Sequence, residues 1–275
     1  MPPRSSRSNS SSQAAREGTP VRYRARVEYD GTDFIGFQAQ PGARTVQGEL
    51  EAALSRLVNG ARLPVEGAGR TDAGVHATGQ VIAFTYPGPL SAVELDGALN
   101  ALLPRDVAVR DMRRVPAGFH PRYAARYREY RYTVWNGPRS PLRERTALGW
   151  RDPLDTDAMA RAGSVLVGRR DFSALGSTIG QPVRTVYAVR VRRRGMLVTI
   201  DVTADAFLRG MVRRMVALLI EVGRGKLNEE AVVAVLQGRR PALDGQSAPA
   251  RGLCLRRVVL GRRADDHRYG DDDEG

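Results

Sequence analysis

The order in which strand patterns and helix patterns follow one another is the feature that most narrows what this chain can fold into. Residues 21–30 place apolar side chains on one face and charged side chains on the other without a break, which predicts a half-buried strand. The patterns that follow predict a helix over 46–58, strands over 62–67 and 80–86, a helix over 91–103 and a strand over 105–114. This β-α-β-β-α-β order is that of a split βαβ unit.

The second half of the chain repeats this order, although the two halves show no similarity of sequence. Its patterns predict a strand over 127–135, a helix over 157–167, a hairpin of 185–194 and 196–203 about Gly195, helices over 205–222 and 228–237, and a strand over 253–260. We therefore predict an α+β chain in which residues 21–118 and 119–262 form two ferredoxin-like halves. Residues 1–20 and 263–275 are predicted to be disordered tails, the first basic and the second acidic.

A strong positive charge indicates a polyanionic partner. The chain carries 43 Lys and Arg against 30 Asp and Glu, which gives a net charge of +13. The acidic C-terminal tail offsets part of the larger positive charge carried by the rest of the chain. Nucleic acid is the first candidate for such a partner. An anionic membrane is the alternative, but no basic amphipathic helix with an aromatic face supports it.

Other features of the sequence argue against several classes of protein. No apolar run approaches the ~18 residues of a membrane span, and no secretory h-region is visible at the N-terminus. The single cysteine, Cys254, excludes an intrachain disulfide and a multi-cysteine metal site. His76 and His120 have no third metal ligand at a usual spacing, so no metal is expected. A cytoplasmic protein fits these features.

Residues 67–81 form a glycine-rich stretch around a single carboxylate, Asp72. Glycines allow the backbone to adopt positive φ and to approach a ligand closely, and Arg70 could keep Asp72 ionised as a nucleophile. A dinucleotide fingerprint requires a third glycine where Asp72 stands and a helix after it, whereas a strand pattern follows here. The other alternative is a hairpin loop whose Asp and Thr side chains bond their own backbone.

The sequence of this stretch is similar to the signature of one family. Residues 69–77 read G-R-T-D-A-G-V-H-A and G-Q-V follows at 79–81, which resembles the motif of the TruA family of tRNA pseudouridine synthases. Residues 29–38 resemble the family's Y-D-G-T-x-F-x-G-W-Q, with Phe37 in place of the usual Trp. The resemblance implies that Asp72 is the catalytic nucleophile. It also implies a pseudouridine synthase fold, in which two ferredoxin-like halves form one extended, mostly antiparallel sheet with a central catalytic cleft.

The resemblance further implies the reaction and the partners. A member of this family is expected to isomerise uridine to pseudouridine at positions 38, 39 and 40 of the tRNA anticodon stem-loop, without a cofactor. It is expected to be a homodimer that binds tRNA across both subunits.

Two further segments carry the resemblance and assign two more residues. Residues 206–216 resemble the family's A-F-L-x-x-M-V-R, which implies that Arg213 is the partner of the catalytic Asp. Residues 119–132 resemble F-H-A-R-F-S-A followed by R-x-Y-x-Y, which implies that Tyr130 lies against the target base and takes part in proton transfer. From the residues alone, Arg213 could equally be a phosphate contact and Tyr130 a core strand residue.

The remaining candidates are RNA contacts, and they are weaker because arginines on a solvated face give the same pattern. We expect RNA to be contacted, besides Tyr130, by five residues near the motifs: Arg70, Thr71, His76, Arg126 and Arg128. For His76, the sequence favours a hydrogen-bonding loop residue over an RNA contact.

Two other functions compete with this one. The first is a noncatalytic RNA-binding protein built on ferredoxin-like units, which would have no need of the Arg70-Thr71-Asp72 turn and for which no RNP1 string is present. The second is a nucleoside hydrolase with a carboxylate pair, for which Glu66 is the only second acid near Asp72, and Glu66 belongs to a strand pattern.

Overall fold

A computed structural model describes residues 20–177, 180–239 and 247–261, so nearly all of both predicted tails lies outside the described residues. Ten strands form one sheet: β1 Val21–Tyr29, β2 Glu66–Gly67, β3 His76–Tyr86, β4 Val107–Arg114, β5 Ala125–Asn136, β6 Leu148–Trp150, β7 Gly168–Asp171, β8 Val183–Arg194, β9 Leu197–Ala204 and β10 Leu253–Leu260. The α-helices of this part of the chain are α1 Val46–Arg56, α2 Ala92–Leu102, α3 Pro121–Ala124, α4 Thr156–Val165, α5 Met211–Gly223 and α6 Glu229–Leu236.

The strand order confirms the predicted fold class. The sheet runs β4-β1-β3-β10-β5-β9-β8-β7, and β2 pairs with β3. In the first half, β1 lies between β4 and β3, and in the second half β5 lies between β10 and β9, so both halves have the same order. Most pairs are antiparallel, and the halves are joined where β10 pairs in parallel with β3.

Helices α1 and α2 begin where the sequence supplies caps. The Thr45 side chain accepts from the backbone N–H of Gly48 at the start of α1, and Ser91 and Glu94 form the predicted capping box of α2. A cap of this kind contributes about 1 kcal/mol. Helices α1 and α2 then bury their apolar positions, Leu50 and Leu99 among them, against the sheet.

The position of the Asp72 loop is set by the edge of β3 that faces away from β1. One end of this edge pairs with β2 at Ile82 and Ala83, and the other end pairs with β10 at His76 and Ala77. The loop between β2 and β3 therefore lies where the two halves meet. Gly79 permits this meeting, because a Cβ there would stand 2.2 Å from the carbonyl oxygen of Arg256.

Several predicted boundaries are wrong. The helix predicted over 205–222 begins only at Met211, because Gly210 has a φ of +73° and Arg209 pairs with Ser177 as an isolated bridge. Ala206 therefore does not share a helical face with Arg213. The strand predicted over 62–67 pairs only at Glu66–Gly67; Pro64 has no N–H to donate to a ladder. Strands β6 and β7 and helix α3 were not predicted, since each has four residues or fewer.

Candidate active site

The loop that carries Asp72 is fixed by buried hydrogen bonds to the strands beside it. The N–H of Ala68 donates to the carbonyl of Val81 at 2.8 Å. The side-chain amide of Gln80, which is fully buried, donates to the Gly69 carbonyl at 2.8 Å. The hydroxyl of Thr71 bonds the phenol of Tyr29 at 2.8 Å. These bonds give Asp72 a rigid support.

The loop that follows β1 holds the other side of the Asp72 loop. The N–H of Phe37 donates to the Thr71 carbonyl at 3.1 Å, and the N–H of Gly74 donates to the Phe34 carbonyl at 3.2 Å. Gly36 lies between these contacts with a φ of +87°, and a Cβ there would stand 2.8 Å from the Thr71 oxygen. Only glycine suits both the conformation and the close approach.

Two arginines of the second half face the Asp72 carboxylate. Arg213 Nη1 lies 3.9 Å from Oδ2, and Arg209 Nε lies 3.9 Å from Oδ1. Hydrogen bonds of this type measure about 2.7–3.2 Å, so the arginines attract the charge without occupying the oxygen lone pairs. Asp72 is one-third exposed, and the two oxygens therefore stay accessible to a substrate. Arg70, the neighbour in sequence, is exposed and forms no ion pair with Asp72.

Arg213 is held in place by backbone contacts. It lies in the first turn of α5, immediately after the left-handed turn at Gly210. Its Nε donates to the carbonyl of Ala248 at 2.6 Å, and the Ala248 N–H donates to the Arg213 carbonyl at 3.0 Å. The guanidinium is thereby directed toward Asp72, and the N-terminal end of the helix adds positive potential.

Tyr130 lies on β5 on the side of the sheet that faces Asp72 and the helices. Its ring packs edge-on against Phe207 at a centroid distance of 5.2 Å, and only 8% of the residue is exposed. Burial raises the pKa of Tyr130 well above its ordinary value; the positive charge of Arg128 opposes this shift and the negative charge of Asp72 adds to it. Tyr130 is therefore a neutral phenol at neutral pH.

Arg128 lies inside the protein and not on the surface where the sequence analysis expected an RNA contact. It is 8% exposed. Its guanidinium donates to the carbonyl of Ala68 at 2.6 Å and to that of Asp205 at 2.8 Å, with a longer contact of 3.4 Å to the Arg122 carbonyl. It therefore joins the start of the Asp72 loop to the segment that leads into α5.

The other predicted contacts divide by exposure. His76 is buried: its Nδ1 accepts from the Gly31 N–H at 3.0 Å and its Nε2 lies 3.1 Å from the Arg251 carbonyl, so its ring bonds within the protein. Thr71 is buried with it. Arg70 and Arg126 are exposed and accessible to RNA.

Three residues of the site were missed by the sequence analysis. Tyr29 and Gln80 support the Asp72 loop, and both stand inside the motifs that carried the family resemblance. Arg209 stands at an unspecified position of the third motif, so nothing in that motif marked it.

Comparison with known proteins identifies the class. The sequence model of the family described as "tRNA pseudouridine synthase" matches residues 25–124 and 162–259. The tRNA pseudouridine synthase A of Moorella thermoacetica is 46% identical over 239 residues, which are 84% of this chain and 96% of that protein. The proteins of the same name from Shouchella clausii and Brevibacillus brevis are 42% and 43% identical, and they cover 88% and 86% of this chain and 94% and 99% of their own.

These matches define an RNA-modifying isomerase, a pseudouridine synthase. Within that class, the chain belongs to the TruA family of tRNA pseudouridine synthases.

The described ranges also bear on membrane insertion and on metal binding. No helix within them has the length and apolar character needed to cross a membrane. The same residues contain no group of three or more His, Cys, Asp or Glu side chains placed to hold a metal ion.

Proposed function

We propose that this protein converts uridine to pseudouridine at positions 38, 39 and 40 of the tRNA anticodon stem-loop, with Asp72 as the nucleophile. The observation that carries the proposal is the position of the Asp72 carboxylate, which is fixed on a rigid loop 3.9 Å from each of two guanidinium groups. A carboxylate in that setting is charged, oriented and still open to attack a substrate.

The reaction sets clear requirements. The N1–C1′ bond of uridine breaks, the uracil turns, and a C5–C1′ bond forms while C5 loses a proton and N1 gains one. The net change is an isomerisation, so neither an electron carrier nor a group carrier is required. Asp72 holds the separated fragments by attack on C1′ or on C6 of the base, or it assists elimination to a glycal.

The neighbouring side chains have distinct parts in this scheme. Arg213 and Arg209 each bring a positive charge to 3.9 Å from an oxygen of the Asp72 carboxylate. The neutral phenol of Tyr130 offers a flat ring to the flipped-out uracil and a proton donor beside it. Arg70 and Arg126 bind the backbone of the stem-loop from which the target base is flipped. Their exposure to solvent supports this role.

Assembly and location are also part of the proposal. Two copies of the chain form a homodimer in the cytoplasm, and one tRNA contacts both subunits. The excess of basic residues supports binding to a polyanion. Sedimentation of the full chain tests the dimer, and a monomer at every concentration that supports turnover would exclude it.

The deciding experiment replaces Asp72 with Asn. Turnover is measured as release of tritium from uridine C5 of an anticodon stem-loop RNA, and binding is measured separately. We expect turnover to be lost while RNA affinity is largely kept. Asp152→Asn, an exposed acid outside the site, is the matched control and should keep full activity. Undiminished turnover of Asp72→Asn would exclude Asp72 as the nucleophile.

A further inference from the structure

A pocket that the proposed mechanism does not use is connected to the strand after the Asp72 loop through one of its lining residues, Arg251. It has a volume of about 210 Å³ and opens between the end of β5 and the segment 137–151. The only two tryptophans of the chain, Trp135 and Trp150, both line it. The charged side chains that line it are four arginines and one acid: Arg139, Arg143, Arg151, Arg251 and Glu144.

The pocket adjoins the catalytic loop. Arg251 lines it, and the carbonyl of Arg251 lies 3.1 Å from Nε2 of His76, the residue at which β3 begins. Ala250, the preceding residue, lies against Gly74, where an added Cβ would stand 3.1 Å from its methyl group. Gly74 is two residues from Asp72, so residues 250 and 251 connect the pocket to the loop that carries the proposed nucleophile.

The wall of the pocket is held by contacts that do not involve a ligand. In the segment 137–151, Arg145 forms ion pairs with Asp30 at 3.1 Å and Asp33 at 2.8 Å. The indole N–H of Trp135 donates to the Pro138 carbonyl at 2.6 Å, and β6 pairs with the end of β5. A pocket built in this way is formed before its ligand arrives.

The chemistry of the lining selects the ligand class. The guanidinium carbon of Arg143 lies 5.7 Å from the ring centroid of Trp135, and the positive excess favours an anion. An apolar ligand would desolvate arginines without pairing them, and an inorganic anion would make no use of the two indole rings. A nucleotide has both a flat base and a phosphate. Bases of a duplex are stacked, so the nucleotide must come from a single-stranded loop.

We propose that this tryptophan–arginine pocket binds one unstacked nucleotide of the RNA substrate. This inference rests on the proposed function in one respect: it assumes that RNA is the substrate. The pocket thereby adds a second point of attachment for the anticodon loop, and it affects how tightly the RNA is held rather than the chemical step.

The two tryptophans report on the pocket directly. Intrinsic tryptophan fluorescence of the full chain is titrated with a short single-stranded oligouridylate and, separately, with tripolyphosphate. We expect saturable quenching by the oligonucleotide and little by tripolyphosphate, because only the oligonucleotide brings a base to the indoles. Trp135→Phe and Trp150→Phe each leave a single reporter. Absence of quenching by the oligonucleotide, or equal quenching by tripolyphosphate, would overturn the proposal.

Kinetics supply an independent test. Arg143→Gln should raise KM for the anticodon stem-loop RNA about tenfold, as loss of one stacked, charge-paired base implies, while kcat is kept. Arg169→Gln removes the same charge from the outer strand β7 and should change KM less than about twofold. If both changes raised KM equally, Arg143 would contribute only general electrostatic attraction to RNA, and the proposal would be wrong.

The outcome also separates this proposal from the proposed function. The Asp72→Asn variant should keep the quenching although it has no turnover. Quenching by RNA in the unsubstituted chain, together with no formation of pseudouridine by that chain, would support the pocket and refute the catalytic proposal. Normal turnover without quenching by RNA, and without an effect of Arg143→Gln on KM, would refute the pocket and support the catalytic proposal.

Discussion

Replacing the buried Arg128 with Met tests whether this residue builds the active site or contacts RNA. Met has a similar length and removes the guanidinium, so the carbonyls of Ala68 and Asp205 lose their donors, at 2.6 and 2.8 Å. Those carbonyls belong to the two segments that carry Asp72 and Arg213. A loss of the bonds therefore acts on stability and on the geometry of the reacting groups together.

The expected size of the effect follows from the contacts. Leaving a buried acceptor without a partner costs about 1–3 kcal/mol, which gives about 2–6 kcal/mol for two carbonyls. Water that enters the loosened site recovers part of this, and we expect a loss of about 3 kcal/mol in the free energy of unfolding. A displacement of the carboxylate by about 1 Å lowers kcat on the order of 10²-fold.

The assay is urea unfolding together with single-turnover kinetics on stem-loop RNA. Arg126→Met is the matched control, because Arg126 lies two residues earlier on the same strand with an exposed side chain. It should change the free energy of unfolding by less than about 0.5 kcal/mol and lower RNA affinity only. If Arg128→Met gave the same result as this control, with stability and kcat intact and binding weakened, Arg128 would be an RNA contact and the structural reasoning would be wrong.

Three further predictions concern the same site. Arg213→Gln should lower kcat at least tenfold more than Arg209→Gln, since the Arg213 side chain is 22% exposed and the Arg209 side chain 84% and solvent screens the exposed charge; equal losses in single-turnover assays would contradict this. Because burial raises the pKa of Tyr130, its phenol stays protonated where an ordinary tyrosine ionises, near pH ~10. Ionisation of Tyr130 should therefore not lower turnover there, and a fall in turnover that Tyr130→Phe abolishes would refute the shift. Gly36→Ala should destabilise the chain by about 1–3 kcal/mol in urea unfolding, since its Cβ meets a loop carbonyl at positive φ; unchanged stability would show that the two loops can separate freely.

The elements that could be predicted from sequence are those whose signals are local. The alternation of residues 21–30 and the capping box at Ser91 each lie within a few residues, and both appear in the structure as strand and cap. Asp72 and Arg213 were assigned by contiguous motifs, and the structure brings their side chains within 4 Å of each other. The local signals thus sufficed for the fold class, whereas the pairing of these two residues was implied by the family resemblance.

Features that depend on distant residues could not be predicted in this way. Arg128 follows the pattern of a basic strand. It is buried because it bonds the carbonyls of Ala68 and Asp205, which are 60 and 77 residues away in sequence. The start of α5 has the same origin, because the residues before Gly210 are helix-compatible and become extended by pairing with Ser177. Arg209 then faces Asp72 because of this extended segment, which a helical pattern would not place there.

The candidate active site is formed where the two halves meet, and several hydrogen bonds cross this junction. Asp72 comes from the first half, while Arg213 and Tyr130 come from the second. Arg128 and His76 each bond a carbonyl of the opposite half. A small shift between the halves would change both 3.9 Å distances to Asp72 at once. Since those distances are already longer than hydrogen bonds, only a fixed junction keeps both guanidinium groups beside an accessible carboxylate. The bonds that cross the junction therefore maintain the geometry on which the proposed reaction depends.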